Sequence, residues 1–209
     1  MSEDKKTTTK KPVHFPRPGA VEENTVRLSL HQLMQDEDFN MQLSGKNILI
    51  FGKVGFFDLI LRELKNSYPN KSENGFVTIS TEHDLETVTK KIQKDGRYKH
   101  PIVLMPAVET QDRLNHLLTG VLELKIPVWL VALPSQISKQ LLLSFNWFFI
   151  SSGPPFEIST LANITPINNE DTTLLETNQN IFAVFAADQK INRLGLPERL
   201  GTVVHIHKF

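Results

Sequence analysis

The sequence predicts an α/β fold: a three-layer, mostly parallel sheet with helices on both faces, plus a C-terminal β extension. Three observations carry that expectation. Short, continuous apolar runs recur from Asn47 to Ile150, as in strands buried on both faces. Segments with apolar residues at helical spacing separate these runs. The first run ends in a glycine-bearing turn, Gly52-Lys53-Val54-Gly55, and a helical stripe follows at once. Strand alternating with helix over about a hundred residues is the pattern of a sheet built from βαβ units.

Residues 1–24 read as a flexible arm. Lys5, Lys6, Lys10, Lys11 and Arg17 outweigh Glu3 and Asp4, giving residues 1–19 a net +3, and prolines stand at 12, 16 and 18. Residues 20–40 carry −4. Residues 25–209 read as a single α/β domain, with a core over 46–151 and the β extension over 152–209. In residues 25–43 the periodicity is mixed. Leu28, Leu30, Leu33, Met34, Phe39, Met41 and Leu43 suggest a short strand and then a helix leading into the core.

Asn47–Phe51 predicts the first strand. Phe57, Ile60, Leu61 and Leu64 follow the i, i+3, i+4, i+7 rule of a helix that ends near Pro69-Asn70. Phe76–Ser80 predicts the second strand. Thr81-Glu82-His83-Asp84 has the capping-box form, with Leu85, Val88 and Ile92 on one face behind it. Ile102–Met105 is the third strand. Leu114, Leu117, Leu118, Val121 and Leu122 make the clearest helical stripe. Val128–Leu133 is the fourth strand, Ser135–Ser144 a short helix, and Trp147–Ile150 the fifth strand. After Ser151 the periodic apolar residues thin out, until Ile181–Ala186 and Thr202–His207 suggest two more strands, at the sheet edge or as a hairpin.

Composition excludes several classes. The 23 basic and 23 acidic residues cancel, so neither a basic nucleic-acid coat nor an acidic disordered chain describes the whole sequence. With no cysteine there is no disulfide framework, thiol nucleophile or zinc–thiolate site. The apolar runs fall short of the ~20 residues of a membrane helix. The polar start, Met1 to Lys11, has no signal-peptide core, so a cytoplasmic or nuclear, non-secreted protein is expected.

The turn after the first strand lies where phosphates bind in α/β folds, at the carboxyl end of a strand and the start of a helix. Gly52, Lys53, Val54 and Gly55 are therefore the cofactor-binding candidates. The Rossmann form G-x-G-x-x-G does not fit, because Gly52 and Gly55 are three apart with no third glycine. The P-loop form G-x-x-x-x-G-K-[ST] fits only in outline. It asks for glycine, lysine and a hydroxyl where the chain has Phe57, Asp58 and Leu59. Asp58 turns attraction for the β- and γ-phosphates into repulsion, and Leu59 removes the magnesium-holding hydroxyl. Lys53 supplies a cation earlier in the loop. The competing reading is a tight turn whose glycines serve steric needs alone.

Taken with the stretches PIVLMPAVE, RLNHLLTGVLELKIPVWLVALPSQ and ISKQLLLSFNWFFIS, the core over residues 46–151 resembles a degenerate P-loop ATPase domain. The pattern is that of the viral DNA-packaging ATPases in the FtsK–HerA branch. The resemblance implies a P-loop strand, a later Walker B strand, a leucine-rich helix, and a strand ending near a polar sensor, where Gln136 stands. An acid should close the Walker B strand, yet Met105 and Pro106 stand there and Glu109 comes three residues after Pro106. The expectation is a non-enzymatic, pseudo-ATPase-like structural or interaction subunit of a nucleic-acid-handling or viral assembly complex, with virion association as one setting and with no cofactor.

Two alternatives stay open. One is an active ATPase of the packaging type using Mg-ATP, with Lys53 as phosphate cation and Glu109 as activating acid. The other is a Rossmann-like small-ligand binding protein. Strand order is the expected discriminator: third strand beside the first and fourth on its other side for a P-loop motor, second beside the first for a Rossmann fold.

Other constellations are weaker. His205 and His207 share a strand face without a third metal ligand, so no metal site is assigned. His83 and His116 read as surface residues. Glu109 and Asp112 suit the first turn of a helix. Ser151-Ser152-Gly153 ends a strand without an identifiable histidine and acid. Trp147, Phe148 and Phe149 read as core. Lys90, Lys91, Lys94, Arg97 and Lys99 form the densest basic cluster, a solvated helix face or a nucleic-acid contact. A protein partner or homo-oligomer is expected, and no membrane contact.

Overall fold

A computed structural model describes residues 30–52, 55–68, 75–95, 100–107, 110–162, 167, 169–177, 181–186 and 200–205. The arm expected over 1–24 lies outside these residues. Two short helices come first, α1 (Leu30–Met34) and α2 (Glu37–Leu43). The chain is thus helical from Leu30, and any strand in 25–29 lies outside the described residues. Asp36 starts α2 by accepting the Phe39 N–H at 2.8 Å, which satisfies an amide the helix leaves open.

β1 (Ile48–Phe51) follows, then α3 (Phe56–Ser67). The buried stripe of α3 is Phe56, Ile60, Leu61 and Leu64, so it begins one residue before the expected Phe57, which packs at the margin of the core. The next elements are β2 (Val77–Ile79), α4 (Glu82–Asp95), β3 (Ile102–Leu104), α5 (Gln111–Glu123) and β4 (Val128–Val131). The predicted Thr81–Asp84 box forms: the Asp84 N–H donates to Thr81 Oγ1 at 3.2 Å, and the Thr81 N–H donates to Asp84 Oδ2 at 2.8 Å. The short helix expected over Ser135–Ser144 is two pieces, a 3-10 turn (Pro134–Gln136) and α6 (Lys139–Leu142). β5 (Trp147–Ser151) is buried throughout, which places Trp147, Phe148 and Phe149 in the core.

The expected β extension over 152–209 needs correction. Its first part is helical, α7 (Pro155–Ala162) and α8 (Asn169–Thr177). Pro155 opens α7, where its fixed φ fits and its missing N–H is no loss. Ile158, Leu161 and Leu175 are buried, too few apolar residues to announce two helices by periodicity. The second part, β6 (Ile181–Ala186) and β7 (Leu200–His205), is β.

All seven strands join one sheet in the order β2-β3-β4-β1-β5-β6-β7. β1 to β5 run parallel; β6 and β7 run antiparallel, as a hairpin that extends the sheet beyond β5. The two C-terminal options were not exclusive. Neither strand order expected of a P-loop motor or a Rossmann fold occurs. β4 lies between β1 and β3, and β2 is at the far edge.

Because side chains alternate along β1, its two faces feed two cores. Leu49 and Phe51 pack with α4, α5, α6, α7 and α8. Ile48 and Ile50 pack with α1, α2 and α3. Each fully buried Leu or Ile in these layers contributes roughly 1.5–3 kcal/mol.

Asn47 ties the amino end of β1 to both neighbours. Its Nδ2 donates to Ser144 O at 2.9 Å and its Oδ1 accepts from Val128 N at 2.9 Å. Its backbone exchanges hydrogen bonds with Asn146, donating to Oδ1 at 3.0 Å and accepting from N at 2.9 Å.

Candidate active site

The helix after β1 lies on one face of the sheet, while those after β4 and β5, its two neighbours, lie on the other. Opposed connections open a crevice at the carboxyl ends of the strands, the usual ligand position in α/β sheets. The crevice is bordered by Gly52 and Gly55 after β1, Ser135 and Gln136 after β4, and Ser151, Ser152 and Gly153 at the end of β5. Lys53, Val54 and Glu109 lie outside the described residues.

Both glycines have local reasons. Gly55 caps α3 at φ 91°, a left-handed conformation that favours glycine. Gly52 does not; there the cause is crowding. A Cβ at 52 would overlap Ser151 Oγ and stand 2.6 Å from Phe56 Cδ1. Phe56 is held by the core around it, its ring 5.7 Å from that of Phe182. The space beside Gly52 is therefore filled by the chain's own side chains. Gly153 is crowded in the same way, since its Cβ would stand 2.9 Å from Phe51 Cε1.

The charges follow the sequence. Asp58 is exposed in the first turn of α3, where a carboxylate complements the helix dipole and repels an incoming phosphate. Leu59 packs at the edge of the α3-side core. After β3, Met105 and Ala107 donate backbone hydrogen bonds to Ile79 O and Ser80 O at 2.9 and 3.2 Å, and no acid stands at 105–107. Among the described residues of the loops after β1, β3, β4 and β5 there is no lysine or arginine.

A carboxylate that sequence reasoning missed stands beside the crevice. Glu157 on α7 is only 6% exposed. It accepts the Ser135 N–H at 2.8 Å and the Ser135 hydroxyl at 2.5 Å. Charged acceptors make strong hydrogen bonds, so this pair fixes the turn that carries Gln136 against α7. Its only signal was an acid two residues after Pro-Pro, too common to single out. Ser152, 3% exposed, has a hydroxyl without a hydrogen-bond partner among the described residues.

Lys90, Lys91 and Lys94 are exposed in the second half of α4, which runs back toward the amino edge of the sheet, away from the glycine loop. Arg97 and Lys99 lie outside the described residues. His83 and His116 are exposed, and Asp112 is exposed in the first turn of α5. His205 ends β7; His207 lies outside the described residues. Among the described residues no cluster of three or more metal-ligating side chains forms, and no helix is long and apolar enough to cross a membrane.

No family model matches the chain, and no curated protein matches it. Its fold is similar to solved structures of the genome packaging NTPase B204 from Sulfolobus turreted icosahedral virus 2. The complex with AMPPCP is 9% identical, with a TM-score of 0.44 over 78% of this chain and 99% of that one. The complex with ATP-gammaS is 10% identical, with a TM-score of 0.41 over 77% and 97%.

Proposed function

We propose that this chain is a non-enzymatic, degenerate P-loop-like domain serving as a structural or interaction subunit of a nucleic-acid-handling or viral assembly complex. The packing at Gly52 carries the reading. A phosphate loop uses glycine to bring open backbone amides to an anion. Here Ser151 and Phe56 occupy the space that glycine frees, and Asp58 adds a negative charge one turn on. The partner surface in this reading is the carboxyl edge, where Leu133 is 39% and Phe156 69% exposed on either side of the Ser135–Glu157 bond. The lysines of α4 are the candidate polyanion contact.

One observation favours the alternative of an active ATPase. The loop stands at the carboxyl end of β1, before a twelve-residue helix whose first amides face the crevice. Calorimetric titration with Mg-ATP, Mg-ADP and a non-hydrolysable analogue, repeated on Lys53→Ala, separates the two. The expected result is no magnesium-dependent binding to either protein. Micromolar, magnesium-dependent binding that Lys53→Ala abolishes would overturn the non-enzymatic reading and make Lys53 the phosphate cation.

A further inference from the structure

The sheet has two lateral edges, and they differ. β2 closes one of them with three residues, Val77–Ile79. β7 closes the other with six, Leu200–His205. All six pair with β6, in an unbroken antiparallel register from Ile181↔His205 to Ala186↔Leu200. Among the described residues no strand lies on the outer side of β7.

Every second residue of an antiparallel edge strand directs its N–H and C=O at its neighbour, and the residues between direct theirs outward. That outward row is a template for another strand. Sheets blunt such an edge by keeping it short, by charge, by proline or by a bulge. β2 is short. β7 has none of these devices. Its sequence, Leu-Gly-Thr-Val-Val-His, holds no proline, lysine, arginine or carboxylate, and its register with β6 advances one residue at a time with no bulge. At roughly 3.4 Å per residue it offers about 20 Å of strand.

The two edges also decide which strand fits. A second copy of the chain can bring its β2 or its β7. β7 on β2 matches three residues at most, and leaves an unused edge at each end of the pair, so that association does not close. β7 on β7, antiparallel about a twofold axis normal to the sheet, matches strands of equal length. It uses the same edge of both copies, so it closes as a dimer.

We infer that the chain dimerises through β7: the β7 strands of two copies pair antiparallel and join their sheets into one. The outward N–H and C=O groups of each strand find partners in the other, which removes the exposed edge from both copies. The inference goes beyond the proposed function. Neither the glycine loop nor Lys53 takes part, so the nucleotide titration and the experiment below succeed or fail separately.

Sedimentation velocity on the full chain tests the inference, with a charge swap at Thr202. In a pairing centred on Thr202 or Val203, the two copies of Thr202 stand opposite each other or one diagonal apart, where like charges repel and opposite charges attract. The wild type should sediment as a dimer at micromolar concentration. Thr202→Lys and Thr202→Glu should each weaken the dimer about tenfold, and an equimolar mixture of the two should restore it. A wild type that stays monomeric overturns the inference and leaves the edge to a strand of another protein. Variants that dimerise as well as the wild type, or a mixture that fails to re-form the dimer, overturn it too. Amide hydrogen exchange on the unmutated chain is a second test that no loss of fold can confuse. Alternate amides of β7 should exchange more slowly as concentration rises, while those of β2 do not change. Exchange in β7 that is independent of concentration overturns the inference equally.

Discussion

The two ends of β1 solve different problems. At the amino end a side chain does the joining: Asn47 reaches Ser144 on one side and Val128 on the other, and its backbone meets Asn146. At the carboxyl end Gly52 contributes by having no side chain, so that Ser151 and Phe56 can close on it. One end is held by directed hydrogen bonds and the other by shape. The contrast shows that a glycine after a strand is no sign of a phosphate until the space it frees is seen to be open.

Breaking the amino end should have the largest effect. Asn47→Ala leaves the Val128 N–H and the Ser144 carbonyl without their partner, at about 1–3 kcal/mol for each unsatisfied group. We expect a total loss of roughly 2–4 kcal/mol in urea denaturation, after allowance for water reaching a half-buried site. A loss below about 0.5 kcal/mol, the range of an ordinary surface change, would show that Asn47 is not the pin.

Gly52→Ala comes next. The added methyl meets Ser151 and Phe56, and overpacking of this kind costs about 1–3 kcal/mol. Ser151→Gly in the same chain removes part of the obstruction. The double mutant should recover at least about 0.5 kcal/mol relative to additivity, the sign of two residues in contact. Equal stability of Gly52→Ala and wild type would mean that the glycine is not there for packing, and would return the loop to the phosphate reading.

Most of the central fold was legible in the sequence, because parallel strands and their covering helices announce themselves by two distinct periods. Ile48–Phe51, Val128–Val131 and the Leu114–Val121 stripe appear where those periods place them. α7 and α8 did not, since among their described residues the buried apolar side chains are Ile158, Leu161 and Leu175, and burial chosen by tertiary contact leaves little periodicity. Strand order was not legible: nothing in a run of apolar residues says that β4 slots between β1 and β3. At the site, Gly52 and Gly55 could be located but not explained, because the cause at 52 is a serine about a hundred residues away in the chain. Glu157 was invisible for a related reason, its partner Ser135 being 22 residues distant.

The smallest expected effect lies at the carboxyl end of β2, where a hydrogen-bonded turn occupies the position that the glycine loop has after β1. Asp84 Oδ2 accepts from Ser80 N at 3.0 Å, and from Thr81 N and Oγ1 at 2.8 and 2.9 Å. These bonds, the Ser80 amide foremost, favour the ionised carboxyl and hold its pKa below the ordinary aspartate range. A carboxyl depressed in the folded state adds stability above its unfolded pKa, and that stability is lost as pH falls through the folded value. Asp84→Asn keeps an acceptor oxygen but cannot titrate. Wild type should therefore be slightly more stable than Asp84→Asn at neutral pH, with the gap closing as the carboxyl protonates in acid. Urea midpoints measured across that range decide it. A gap that does not change with pH would show that the turn is held by its backbone geometry and that the charge at Asp84 contributes nothing.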